Sequence, residues 1–283
     1  MTQDCATPML KAVSCQRSAL RSASMRRTVC LSAGFLLAAT TAFAEGGVVK
    51  TLDFHNVHIR TNDPAKAGEW YVKYLGATPG RAPQLVMFGK TLIEFVKTEQ
   101  LQPSTGSVID HIGLSFADLD RKMKELEGSG AKVLTAPRDV AGLFKLGFIE
   151  DLWGTKIEVV QDSELLGFHH VHLRVPDPAA TLNWYESMFG GGERAKLKGR
   201  IEGLRYGTVW LLAASSGNET PAPSLDRAVY NIAYLVPNVD DAVTALKSKG
   251  VKTRVEPRSI GTVRYAFVQD PNGVEIELIH QQR

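Results

Sequence analysis

Along Asn56-Val57-His58-Ile59-Arg60 polar and apolar residues alternate with a period of two, as expected of a strand with one buried face. A proline-containing turn follows at Asn62-Asp63-Pro64. The apolar positions then shift to helical spacing through Trp70, Tyr71 and Leu75 and stop at Gly76. The succession returns 114 residues later, where Phe168-His169-His170-Val171-His172-Leu173-Arg174 runs into Asp177-Pro178 and a helical segment ending at Gly190. A second pair of strands is related in the same way. Asp110-His111-Ile112-Gly113-Leu114 corresponds to Tyr230-Asn231-Ile232-Ala233-Tyr234, each before a predicted helix, Lys122 to Gly130 and Asp241 to Gly250. Each unit closes in a β-rich tail, and the tail around Ile157-Glu158-Val159 aligns with Ile276-Glu277-Leu278. The pattern predicts an α+β protein of four strand–helix–strand–strand–strand units, with a first domain over residues 45–162 and a second over 163–283.

Residues 1–44 fall outside this pattern. Met25-Arg26-Arg27, the apolar run Val29 to Ala42 and the small-x-small Ala42-Phe43-Ala44 read as a signal peptide with cleavage before Glu45, too short a run for a membrane span. Met25 is the expected true start. The paired arginines fit twin-arginine export, and an ordinary secretion signal accounts for them too. The expectation is a periplasmic or secreted protein without stable membrane insertion.

Charge changes the picture once the leader is set apart. It carries a net +4, and the remainder a net −1, so the overall +3 is no footprint for nucleic acid. Apolar residues at 44% and charged residues at 22% are globular proportions. Cys5, Cys15 and Cys30 all lie in the leader, which removes disulfides, thiolate ligands and cysteine nucleophiles from the rest. There is no phosphate-cradling glycine loop and no serine elbow motif. Lys196-Leu197-Lys198-Gly199-Arg200 reads as a solvated loop, with anion binding as the lesser alternative.

The unit order, the Asp270-Pro271-Asn272-Gly273…Ile276-Glu277-Leu278 ending and the histidine-bearing opening strands resemble the vicinal oxygen chelate superfamily, which includes glyoxalase I, extradiol dioxygenases and bleomycin-resistance proteins. The resemblance covers about residues 50–281. It implies two curved-sheet domains, each assembled from two units around a divalent metal with ligands from first and last strands. It is specific for fold and weak for reaction, because this fold hosts several chemistries and pure binders.

Carried onto this chain, the first-strand ligand positions are Asn56, His111, His170 and Asn231, and the last-strand positions are Glu94, Glu158, Leu211 and Glu277. Six of the seven histidines sit in opening strands. His58 and His172 share a strand face with Asn56 and His170, roughly 6.6 Å further on. His55 and His169 are expected on the opposite face as hydrogen-bonded core residues. Trp70, Tyr71, Trp184 and Tyr185 are expected to pack.

Two pairings of units are open. If unit two joins unit three, His111, Glu158 and His170 form one site with Leu211 at a vacant position, while Asn56, Glu94, Asn231 and Glu277 form a degraded partner without an imidazole. If sequential units pair, Glu94, His111 and Glu158 share a pocket with Asn56. The first pairing is preferred because it gathers both imidazoles with a carboxylate. Two histidines and a carboxylate suit Fe(II), with Mn(II), Zn(II) or Ni(II) as alternatives.

The resemblance then implies a metal-dependent enzyme acting on a small substrate with adjacent oxygens, dioxygenase-like or glyoxalase-like. Glu158 and His172 are the catalytic candidates. One carboxylate in the preferred site, and little glutathione outside the cell, count against glyoxalase chemistry. The alternative is a metal-free exported protein that binds a small molecule in the same cavity. Four units in one chain can complete both cavities as a monomer, and a homodimer stays open.

Overall fold

The structure, a computed structural model, describes residues 46–281. The expected export signal and the three cysteines lie outside the described residues. Among the described residues no helix is long and apolar enough to cross a membrane.

Among the described residues all four α-helices begin at a side-chain cap. Asp63 accepts from the Lys66 amide at 3.1 Å before α1 (Pro64–Leu75), and Asp118 from Arg121 at 2.9 Å before α2 (Leu119–Glu125). Asp177 accepts from Ala180 at 2.9 Å before α3 (Pro178–Met188), and Asn238 from Asp240 and Asp241 before α4 (Val239–Ser248). These caps start the second and fourth helices earlier than apolar spacing alone suggests. Gly76 ends α1 in the left-handed region, φ 75°.

Two eight-stranded sheets carry the fold. The first runs 193–197, 201–206, 209–215, 167–175, 109–115, 156–161, 145–150, 132–139. The second runs 252–260, 263–269, 275–281, 229–235, 53–61, 91–97, 85–88, 78–79. Unit two is therefore hydrogen-bonded to unit three, and unit one to unit four. Each sheet centres on an antiparallel pair of opening strands flanked by parallel closing strands. The sequential pairing does not form.

The sequence neighbours are tied together differently. Tyr71 on α1 donates to Asp151 Oδ2 at 2.8 Å in the turn of unit two, and Tyr185 on α3 donates to Asp270 Oδ2 at 3.2 Å in the turn of unit four. The other oxygen of each aspartate accepts two backbone amides, from Trp153 and Thr155 and from Asn272 and Val274. Trp70 Nε1 donates to the Ser129 carbonyl at 2.9 Å. Helices thus join units one to two and three to four, the sheets join one to four and two to three, and a single apolar core runs through all four.

Four β-bulges interrupt the central strand pairs. In the first sheet Phe168 faces Leu114 while His170 faces Gly113, so His169 is the extra residue. His172 faces His111 while Leu173 faces Ile109, so Asp110 is extra on the partner strand. The second sheet repeats both, with His55 and Tyr230 as the extra residues. A bulge turns two consecutive side chains to the same side. His55 and His169 are accordingly not on the face opposite the ligand positions, as strict alternation predicts.

The candidate metal centre

The central strands of the first sheet bring together residues far apart in sequence. His111 Nε2 lies 3.2 Å from Glu158 Oε2, and His170 Nε2 lies 3.0 Å from the same oxygen. With a ring nitrogen of His172 these donors all fall within 4.8 Å of one another. Glu158 is set by pairing of its strand beside Gly113, directly under the His170 ring. A Cβ on Gly113 would come within 2.1–2.6 Å of that ring, so the glycine is what leaves room for the imidazole.

Backing groups hold the rings. His111 Nδ1 is 2.7 Å from Asp110 Oδ1, and Lys156 Nζ is 2.6 Å from the same oxygen. His170 Nδ1 meets His169 Nδ1 at 2.8 Å, and His169 Nε2 lies 3.3 Å from Asp162 Oδ2. Lys198 closes that chain at 3.0 Å from Asp162 Oδ1 and also pairs with Glu164. Lys198 is therefore engaged in ion pairs rather than free for a substrate anion.

Burial alone would raise the Glu158 carboxyl, but the facing imidazoles of His111 and His170 outweigh it and hold the group well below the usual carboxylate range. Burial works against His111 too. Asp110 and Glu158 more than compensate, and its pKa rises. Asp110 itself falls to about 2: its burial opposes this, but the His111 and Lys156 contacts prevail. Burial lowers His170 and carries His172 well below the ordinary histidine value, so both rings are neutral near pH 7.

The residues fit a divalent ion. His170 Nε2 and both His172 nitrogens are buried without a hydrogen-bond partner, although His170 Nε2 sits close to a carboxylate oxygen. Unsatisfied buried nitrogens converging on a carboxylate describe a donor set lacking its acceptor. Asp110 and Asp162 stand behind the rings as outer partners do in metal sites.

The cavity in front of these donors has a volume of about 120 Å³. Beside the four donor residues its walls are apolar, among them Phe144, Phe148, Leu197 and Leu212. Two hairpin tips cover it, and Arg200 Nη1 donates to the Ala141 carbonyl between them.

The place of Leu211, the alternative grouping of Glu94 with His111 and the expected lack of an imidazole in the second site all need correction. Leu211 is buried in the main core; its neighbour Leu212, in register with His172, faces the cavity at the fourth ligand position. The error is one residue of register, which inverts the strand face. Glu94 lies in the second sheet and is not brought to His111 and Glu158, because the sequential pairing is not the one that forms.

The second cavity also holds an imidazole. His58 Nε2 is 3.3 Å from Glu94 Oε2 and 3.5 Å from Glu277 Oε2, and Asn56 Nδ2 donates to Glu277 Oε2 at 3.1 Å. Asn231 Oδ1 accepts from the His58 backbone amide at 3.1 Å. Burial opposes protonation of His58, but Glu277 and Glu94 together raise its pKa. Burial raises Glu277, and the contact with His58 lowers Glu94. That His58 shares a face with Asn56 was readable from alternation, and its place between two glutamates was not.

The chain matches the family described as Glyoxalase/Bleomycin resistance protein/Dioxygenase superfamily over residues 53–159 and again over 167–278. Among solved structures, glyoxalase I from Zea mays is 18% identical with a TM-score of 0.63, over 81% of this chain and 92% of that one. A putative dioxygenase from Bacillus subtilis is 17% identical with a TM-score of 0.58, over 83% and 87%. At these identities the likeness is one of fold. No curated protein matches the chain.

Proposed function

The chain belongs to the glyoxalase/bleomycin resistance protein/dioxygenase superfamily, and from that premise we propose that it is a metal-dependent enzyme acting on a small, ring-sized molecule with two adjacent oxygens. The observation that carries this reading is the convergence of His111, His170 and His172 on Glu158, with buried nitrogens left unpartnered. His111, His170 and Glu158 would hold the ion, Fe(II) in the first instance, with Mn(II), Zn(II) or Ni(II) compatible with the same donors. When bound, such an ion supplies Lewis-acid stabilisation of charge developing on a chelated oxygen.

The chain's own residues account for the rest. His172 is half-buried at the cavity wall with both ring nitrogens unpartnered, so a ring nitrogen is placed to accept the proton released by a substrate hydroxyl. Phe144, Phe148, Leu197 and Leu212 exclude water and pack against a flat apolar body. A cavity of roughly 150 Å³ takes benzene, so the 120 Å³ here limits what enters to one small ring at most and leaves no room for a peptide conjugate. Leu212 stands where a second carboxylate would serve a glyoxalase-type proton shuttle, which favours the dioxygenase-like reading. The leader supports export to the periplasm or beyond, and an envelope form beginning at Glu45 would bear that out.

The test is metal content after anaerobic loading, followed by titration with 4-nitrocatechol as a bidentate chromophoric probe. One ion per chain is expected in the wild type, with the probe spectrum shifting only when metal is present. His111→Ala should lose both, and His172→Ala should keep metal while losing turnover. Equal, substoichiometric metal in wild type and His111→Ala overturns the reading. A metal-free binding protein is the second reading, favoured by the apolar walls; probe affinity that survives chelation would support it.

A further inference from the structure

His169 is buried, adjacent to a proposed ligand and on the same side of the strand only because of the bulge. Its two nitrogens face different partners. Nε2 faces Asp162, a carboxylate that can only accept, so Nε2 carries the hydrogen. Asp162 is fixed as an anion by Lys198 and by the Glu164 amide at 3.1 Å. A neutral imidazole bears one hydrogen, which leaves His169 Nδ1 as an acceptor. Among the described residues its hydrogen-bond partner is His170 Nδ1, at 2.8 Å, so His170 donates there; its Nε2, 3.0 Å from Glu158 Oε2 but outside hydrogen-bonding geometry, is left bare.

We propose that His169 is a positioning residue: with Asp162 and Lys198 it locks the His170 ring in the tautomer that presents a lone pair at Nε2 toward Glu158. The arrangement has a counterpart on the other side of the site, where Lys156 and Asp110 act on His111 directly. The two relays share one design, lysine to aspartate to imidazole, and the His170 branch inserts a second imidazole because Asp162 is one ring further away. Independent support comes from the second sheet. There the same bulge sets His55 Nδ1 3.0 Å from Asn56 Nδ2, again accepting from the residue at the ligand position. Lys198, among the described residues, is the one non-glycine with positive φ, 48°, a strained backbone held where its ammonium reaches Asp162 and Glu164.

The inference rests on the metal-centre reading, and its test separates the two. Long-range ¹⁵N–¹H correlation on the metal-free full chain reads the ring tautomers directly. His170 is expected as the Nδ1–H form in the wild type. His169→Phe should move it to a mixture containing Nε2–H and weaken Co(II) binding 10- to 100-fold, the range for outer partners of metal ligands. His169→Asn, whose Oδ1 can stand where Nδ1 was, should restore the Nδ1–H form and most of the affinity. If the phenylalanine variant fails to fold, Asp162→Asn against His169→Asn gives the same comparison. Nε2–H on His170 in the wild type, or an unchanged tautomer and affinity in His169→Phe, overturns the relay. A wild type that holds Nδ1–H but takes up no Co(II) upholds the relay and overturns the metal-centre reading.

Discussion

The two sheets share strand order and bulges, and their central cavities can be laid over one another residue by residue. His170 stands against Asn56, His111 against Asn231, Glu158 against Glu277, Leu212 against Glu94, and Gly113 against Ala233. The first cavity has one carboxylate among three imidazoles, with ring nitrogens unpartnered. The second has two carboxylates around one imidazole whose pKa is raised and whose Nε2, within ion-pair reach of both, is also without a hydrogen-bond partner. The raised imidazole of the second cavity stands between two cavity carboxylates, whereas in the first His111 is matched by Asp110 and Glu158 and leaves the neutral rings of His170 and His172 beside the same carboxylate. One fold with a handful of exchanged side chains offers a candidate cation site on one side and a self-compensated ion cluster on the other.

The largest effect should come from the matched carboxylates. Glu158→Gln is expected to abolish stoichiometric metal, beyond the roughly 100-fold loss seen for outer partners alone. Glu277→Gln should leave metal content near the wild-type value, and elemental analysis of both proteins reads the contrast. Gly113→Ala comes next: the added Cβ displaces the His170 ring, and a 10- to 100-fold weaker affinity is expected by competition with a chromophoric chelator. Ala233→Gly in the other sheet should change nothing in that assay.

His58→Ala leaves Glu277 buried without its counter-charge, at a cost of up to about 3 kcal/mol. Because folding raises the His58 pKa above 6.5, this stabilisation is fully present below that value and fades as pH rises through the folded pKa. Urea unfolding should therefore separate wild type from variant more at pH 6 than at pH 9. The smallest effect concerns the helix contacts. Tyr71→Phe should cost about 1–3 kcal/mol, since it deprives buried Asp151 of a donor. Tyr185→Phe, with the longer bond to Asp270, should cost less.

Much of this was legible in the chain itself. Repetition of the strand motif at 54 and 168, and of the tail glutamates at 158 and 277, exposed four related units and the positions from which ligands would come. Alternation placed His58 with Asn56 and His172 with His170. It failed at His55 and His169, because a bulge is a mismatch between two strands and leaves no mark in either strand's own period. Leu211 was misplaced for a related reason. A single-residue shift carries no penalty in a run such as Val209-Trp210-Leu211-Leu212, where every side chain is apolar.

The residues alone determined the units, the helix caps and which side chains could serve as donors, since these depend on local periodicity and chemistry. Which units share a sheet was decided by long-range pairing of the opening strands, a choice to which neither sequence half is privy. That pairing sets His111 from the first half beside His170 from the second, and it leaves Glu94 on the far side with His58. The register of the same pairing, with its two extra residues per sheet, turned His169 from its expected face and set it and Asp110 against the ring nitrogens of His170 and His111.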